Sequence, residues 1–318
     1  MAELRGPLHS MVFRNADLPV LFHHADAIAI ARQREAIRAT RLQLLLLVVG
    51  AALAALPWRG SLGGSFQLIG ALSALAYAGV LLLTFRSAGQ RAKSHWQLNR
   101  SAAEFIKSLS WRYAVHGAPF DSGAADPAGL FTERMEAGLQ ELKKVGWEDP
   151  RDDTGGGRGV MGVMGPVGEL ITGPMRLLRE KPYTIRKETY VRDRLIEQRN
   201  WYHRRTVVSR RATTLWSVTI SVLTLLALVL ATLRTFSVTE SSSVLGVLSA
   251  SAAACLAWSE IRRHQPLISA HSLVEEDLAA MHTAMETMVT EEQWSSAVYE
   301  TERIVSPQHT DWLVRHRS

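Results

Sequence analysis

ATTLWSVTISVLTLLALVLATL, residues 212–233, runs for 22 residues without a single ionisable side chain. An α-helix needs about 20 such residues to cross a hydrocarbon core. In lipid an unpaired backbone N–H or C=O is costly, so a crossing segment of this kind must be helical. The stretch is bracketed by Arg204, Arg205, Arg210 and Arg211 before it and Arg234 after it.

Three further runs have the same character: Leu42–Leu56, closed by Pro57 and Trp58, then Phe66–Phe85 and Ser241–Ser259, all free of Asp, Glu, Lys and Arg. Their lengths favour spans over helices buried in a soluble bundle. The first is short and spans if Arg41 snorkels and Trp58 lies at the interface. The expectation is an all-α integral membrane protein with four transmembrane helices in two hairpins and long cytoplasmic helical extensions.

Charge sets the orientation. Arg32, Arg34, Arg38 and Arg41 precede the first run, Arg86, Arg91 and Lys93 follow the second, and Arg262 and Arg263 follow the fourth. The hairpin loops hold only Arg59 in one and Arg234 with Glu240 in the other. The excess of cations belongs inside, so both termini and the middle segment are expected in the cytoplasm of a bacterial inner membrane. The net charge of +6 over 318 residues is thus spent on topology and anionic lipid, not on nucleic acid. Cys255 is the lone cysteine and excludes an internal disulfide. The N-terminal stretch lacks the compact apolar segment and cleavage site of a secretory signal, so the first span is expected to direct insertion.

This gives an N-terminal cytoplasmic helix (1–40), a hairpin (41–85), cytoplasmic helices of the first half (86–147), a flexible linker (148–182), a cytoplasmic helix of the second half (183–211), a second hairpin (212–259) and C-terminal cytoplasmic helices (260–318). Asp17 can cap a helix with Pro19 in its first turn, running to Leu56. Trp96, Arg100, Glu104, Lys107 and Trp111 recur at helical spacing, as do Tyr190, Arg194, Gln198 and Tyr202, with Trp201 beside them. Both sets flank spans on one side of the membrane, so they are expected to meet in a cytoplasmic bundle. The linker is read from EDPRDDTGGGRG, residues 148–159, and MGVMGPVGELITGP to Pro174 is expected to be a loop over that bundle. A helix leaving the fourth span is expected to break at Pro266 and resume at Ser269.

Chemistry is sparse. Gly157, Gly159 and Gly162 have the spacing of a dinucleotide turn, but no strand precedes them and no βαβ unit surrounds them. No HExxH, nucleophile elbow or paired CxxC occurs, so no enzyme and no cofactor is expected. His23 with His24, and His264 with His271, lack ligand spacing, so no metal is expected. Spans without ionisable groups argue against a charge-driven transporter or voltage sensor. They do carry small and hydroxyl stripes: Gln67, Ala71, Ala74 and Ala78; Ser217, Ser221 and Thr224; Ser242, Gly246, Ser249 and Ala253. Such stripes either pack helices or line a pore. Hydroxyls in the third span can also bond back to their own helix. The candidate pore lining is Ser217, Ser221, Thr224 and Leu228, the last forming an apolar constriction. One subunit has too few walls for a channel, so a cyclic homo-oligomer is part of that reading.

Trp96, Arg100, Ala103-Glu104, Lys107, Trp111-Arg112-Tyr113 and Pro119-Phe120 in the first half, and Tyr190, Arg194, Gln198, Trp201-Tyr202 and Trp312 in the second, resemble the SLATT superfamily twice over. Its members are two-transmembrane effector domains associated with nucleotide-synthesising (SMODS) and nucleotide-sensing (SLOG) proteins of bacteria. The resemblance implies a pore-forming effector of anti-phage or other conflict systems, opened by a nucleotide signal or a cytoplasmic protein partner. The alternative is a non-conducting membrane scaffold or sensor that recruits a soluble partner through its helical stalk.

Overall fold

The protein is described by a computed structural model covering residues 11–56, 68–89, 92–152, 169–235, 242–262 and 264–305. The described residues form helices and no strand. In order they are α1 (Val20–Ala55), α2 (Leu68–Gly89), α3 (Ala92–Ala114), α4 (Pro127–Lys144), α5 (Gly173–Arg179), α6 (Tyr183–Tyr190), α7 (Glu197–Thr235), α8 (Ser242–Arg262), α9 (His264–Thr287) and α10 (Glu291–Val305). A π-helical turn, Val191–Ile196, joins α6 to α7, and the residues on either side of it keep right-handed helical backbone angles.

Three helical stretches are long and apolar enough to cross a membrane: Val20–Ala55, Tyr183–Leu233 and Val244–Thr287. A fourth apolar stretch, Ile69–Phe85, is shorter. In the most apolar parts of these long helices only 6%, 0% and 0% of residues are buried within the chain. A soluble bundle would hide such surface, and here Leu215, Leu82 and Phe85 stand 64%, 69% and 74% exposed.

The chain divides into two compact units. The second comprises the described residues of Gln33–Lys93 and Arg205–Ala270. Here α1 and α2 run antiparallel. Gln43 Nε2 donates to Thr84 Oγ1 at 2.9 Å, and Ser73 Oγ donates to the Gly50 carbonyl at 2.9 Å. Gly50 lets the helices approach closely, since a Cβ there would stand 3.1 Å from the Tyr77 ring and the ring would have to shift by a few tenths of an ångström. The buried small residues of α2 are Ser73 and Ala76, whereas Ala74 and Ala78 face outward.

The first unit comprises the described residues of Met1–Arg32, Ser94–Arg204 and His271–Ser318. Its core draws on Leu21 and Phe22 of α1, Ile106 and Trp111 of α3, Met135 of α4 and Trp294 of α10. Both halves of the sequence therefore contribute to one core. α4 starts where the Asp126 carboxylate accepts the Gly129 N–H at 2.9 Å with Pro127 in the first turn, and it stops before Gly146, whose φ of 96° suits glycine. α10 starts with a reciprocal cap: Thr290 Oγ1 accepts the Gln293 N–H, and Gln293 Oε1 accepts the Thr290 N–H, both at 3.4 Å.

Several boundaries differ from the sequence expectation. Asp17 does not cap α1. Its carboxylate accepts the Arg14 N–H at 2.7 Å to close a 3₁₀ turn, Asn15–Asp17, and α1 starts after Pro19. The span 148–182 is not wholly a linker. Asp149 is buried and held by Arg151 and by Lys143 at 2.9 Å, because a carboxylate taken from water needs cationic partners. Further on, Thr172 caps the helix α5, and its Oγ1 donates to the Asp17 carbonyl at 2.7 Å, so the expected loop to Pro174 ends at Thr172. The glycine run and the dinucleotide-like spacing lie outside the described residues. Pro266 does not break a helix. It lies within α9, which continues through Ser269 without interruption.

Candidate functional site: a buried charged centre

The core of the first unit contains an ion pair shielded from water. Arg194, on the π turn, and Glu302, on α10, are 1% and 2% exposed. Arg194 Nε donates to Oε1 at 2.9 Å and Nη2 to Oε2 at 2.7 Å, the bidentate fork that a guanidinium offers a carboxylate. The Tyr190 hydroxyl donates to the same Oε1 at 3.0 Å. Burial and the adjacent Glu302 push the Tyr190 phenol well above its ordinary range, so it stays protonated as a donor. Burial works against the charge on Arg194, yet Glu302 outweighs it and strengthens the protonated form. The π turn puts Val191, Arg194 and Leu195 together in the interior. Extra-residue turns of this kind are often found at functional positions.

Around this pair stand the residues read from α3. Lys107 is lowered to about 8, by burial first and by Arg194 second, with Glu104, Glu197 and Glu302 opposing. Arg100 bridges Asp26 of α1 at 2.9 Å and Glu104 at 2.5 Å. Trp111 sets its ring edge-on to Tyr190 at 5.7 Å and to Phe13 at 4.7 Å. Tyr190 in turn meets Trp294 edge-on at 5.7 Å. The Tyr202 hydroxyl donates to the Val305 carbonyl at 3.3 Å, and burial followed by Glu104 raises its phenol. Gln198 bonds to Tyr202.

The structure thus gathers Arg100, Glu104, Lys107 and Trp111 with Tyr190, Arg194, Gln198 and Tyr202. Two of the residues read from sequence lie apart from the pair. Trp96 is half-buried near the start of α3. Trp201 packs against Tyr202 at 4.9 Å and His271 of α9 at 5.8 Å. Sequence reasoning missed Glu302, Trp294 and Asp26. Trp294, Val298, Glu302 and Val305 do share one face of α10 at helical spacing, and that was the available signal.

A second cluster holds the end of α3. The last carbonyls of a helix lack intrahelical donors, and here arginines supply them. Arg179 Nη1 donates to the Tyr113 and Phe120 carbonyls at 2.6 and 2.9 Å. Val115 accepts from Trp294 Nε1 at 2.7 Å and Arg186 Nη1 at 3.3 Å, and Ala118 accepts from Arg112 Nε at 2.7 Å. His116 has a φ of 62° beside them. Burial, then Arg179 and Arg186, lowers it to about 4, so its ring is neutral at pH 7.

In the second unit Ser217, Ser221 and Thr224 are exposed, and Leu228 is 62% exposed. The Thr224 hydroxyl donates to the Ile220 carbonyl of its own helix at 2.8 Å. On α8 Gly246, Ser249 and Ala253 also face outward, and nothing lies within 4 Å of where a Gly246 Cβ would be.

Residues 19–187 match the domain described as SMODS and SLOG-associating 2TM effector domain 3, and residues 190–312 match SMODS and SLOG-associating 2TM effector domain 1. No curated protein and no solved structure matches the chain. The junction falls between Lys187 and Tyr190, in the helix that carries the charged centre, so each domain supplies one side of it: α3 from the first, the π turn and α10 from the second. The chain belongs to the SLATT superfamily of two-transmembrane effector domains and contains two of them in tandem.

Proposed function

We propose that the protein is a homo-oligomeric pore of a bacterial inner membrane, without enzymatic activity, serving as an effector in anti-phage or related conflict systems. Four spans cross in two hairpins, and both termini and the first unit lie in the cytoplasm. The flanking arginines support that orientation. Several copies surround an axis lined by Ser217, Ser221 and Thr224, with Leu228 as an apolar gate that opens by wetting. A nucleotide signal or a cytoplasmic protein partner acts on the first unit, and lipid covers the remaining apolar surface.

The observation that carries this reading is the outward position of Ser217, Ser221 and Leu228 on the apolar helix α7, Leu228 being 62% exposed. Hydroxyls on the outside of a membrane helix that do not bond back to its own carbonyls need a polar lining or another helix to face. Liposomes containing the wild-type protein and the Leu228→Ser variant test it by ion flux. The variant is expected to leak more, because a wider polar constriction wets more readily.

A second reading, a non-conducting scaffold or sensor, is favoured by the Thr224 hydroxyl, which is already bonded within its own helix. Absence of flux from both proteins, across lipid compositions and with nucleotides added, would select the scaffold.

A further inference from the structure

Arg41 immediately precedes the apolar stretch of α1, and Trp258 and Arg262 lie four apart on one face of α8 where its apolar stretch ends. The fold brings these three together within the second unit. The Arg41 guanidinium carbon stands 5.2 Å from the centroid of the Trp258 ring, and that of Arg262 stands 5.7 Å from the same ring. Arg262 also feels the charges of Arg205, from α7, and Arg41 as its principal electrostatic neighbours. Two helices, α1 and α8, thus deliver guanidinium groups to one indole.

Like charges gathered in this way repel one another, and one aromatic face offsets only part of that repulsion. Among the described residues neither Arg41 nor Arg262 forms an ion pair with a carboxylate. Arg41 and Arg262 therefore have cationic capacity to spare among the described residues. A guanidinium fork matches the oxygens of a phosphate, which a point charge does less well. Along α1 from Arg41 the surface turns apolar: Leu42 and Leu45 are 48% and 56% exposed. A ligand that fits has a phosphate at one end and hydrocarbon at the other.

We propose that Arg41, Arg262 and Trp258, with Arg205 adding positive field, form a binding site for the headgroup phosphate of an anionic phospholipid. The lipid's acyl chains lie along Leu42 and Leu45, and the indole rests at the interface, where tryptophan is favoured. A zwitterionic headgroup binds more weakly, because its quaternary ammonium meets the same guanidinium groups. The assignment rests on the membrane reading above.

The test uses the full chain, extracted in mild detergent and titrated with phosphatidylglycerol or phosphatidylcholine under native mass spectrometry. Wild type should retain phosphatidylglycerol about tenfold better than phosphatidylcholine. Arg41→Gln/Arg262→Gln should lose that preference, while Arg34→Gln/Arg38→Gln, which removes exposed arginines outside the cluster, should keep it. Arg41→Lys/Arg262→Lys, carrying the same charge without the fork, should fall between, and it stands in if the glutamine pair does not fold. Equal losses in both glutamine variants, or no preference in wild type, overturn the site. Displacement of bound lipid by inorganic phosphate alone at millimolar concentration overturns the lipid as occupant. A chain that is soluble without detergent refutes the membrane reading itself and is seen before any lipid is added.

Discussion

Arg194 and Glu302, 108 residues apart in sequence, face each other through two parallel hydrogen bonds with almost no exposure to solvent. Each was removed from water at a cost that their attraction roughly offsets. The pair therefore contributes little net stability while it is intact and becomes expensive when one member is lost. Glu302→Ala is expected to destabilise the first unit by about 3–5 kcal/mol, and Arg194→Met/Glu302→Leu to restore much of that. Thermal unfolding of wild type and the two variants measures it. A double variant no more stable than Glu302→Ala would sink the argument.

His116 gives the protein an acid-sensitive element. Its folded value, about 4, is depressed from the usual 6.5, so its stabilising contribution is complete above pH 6.5 and is lost as pH falls toward 4, where the unfolded chain binds a proton that the folded one refuses. Because the ring is half-exposed, solvent screens part of the effect. His116→Asn, which tolerates the positive φ, should flatten the melting-temperature profile between pH 6.5 and 4. Parallel profiles for the two proteins would count against it.

Gly138 sits where α4 crosses Phe105 of α3, and a Cβ there would lie 2.1 Å from the ring. Gly138→Leu is expected to cost about 1–3 kcal/mol through overpacking. A melting temperature equal to wild type would show that the ring moves aside freely.

Gly246 is the opposite case, with open space where its Cβ would stand. If outward-facing small residues of α8 pack against a second copy, Gly246→Leu should leave the fold of each chain intact and shift the particle-mass distribution toward smaller species. An unchanged distribution in detergent and in nanodiscs removes α8 from the subunit contact.

The membrane character of the chain was legible because a charge-free run as long as 212–233 has few alternatives. The charged centre was half legible. Tyr190, Arg194, Gln198 and Tyr202 repeat every four residues, and so do Trp96, Arg100 and Glu104, so a shared face could be read from each helix alone. Glu302 could not be paired with Arg194 in advance, since helical spacing says nothing about which distant helix arrives opposite. α5 escaped because its 7 residues are too few to show a period, although Thr172 and Pro174 carried the marks of a helix start. The outward direction of Ala74, Ala78 and Gly246 was equally hidden, because a small side chain marks close approach without saying whether the neighbour is within the chain or beyond it.

The π turn at Val191–Ile196 makes the protein sensitive to length in a way its composition conceals. Closing its six residues as ordinary α-helix, with none removed, would advance every later side chain by about 100° around the axis. Tyr202 would swing off the Val305 carbonyl, while Tyr190, upstream of the turn, would remain at Glu302. The turn acts as a timing mark between two ends of one rod. Excising one residue within the turn should therefore leave those contacts in place, because the turn holds one residue more than the α-helix it interrupts, whereas the same excision between Glu197 and Tyr202 should break them.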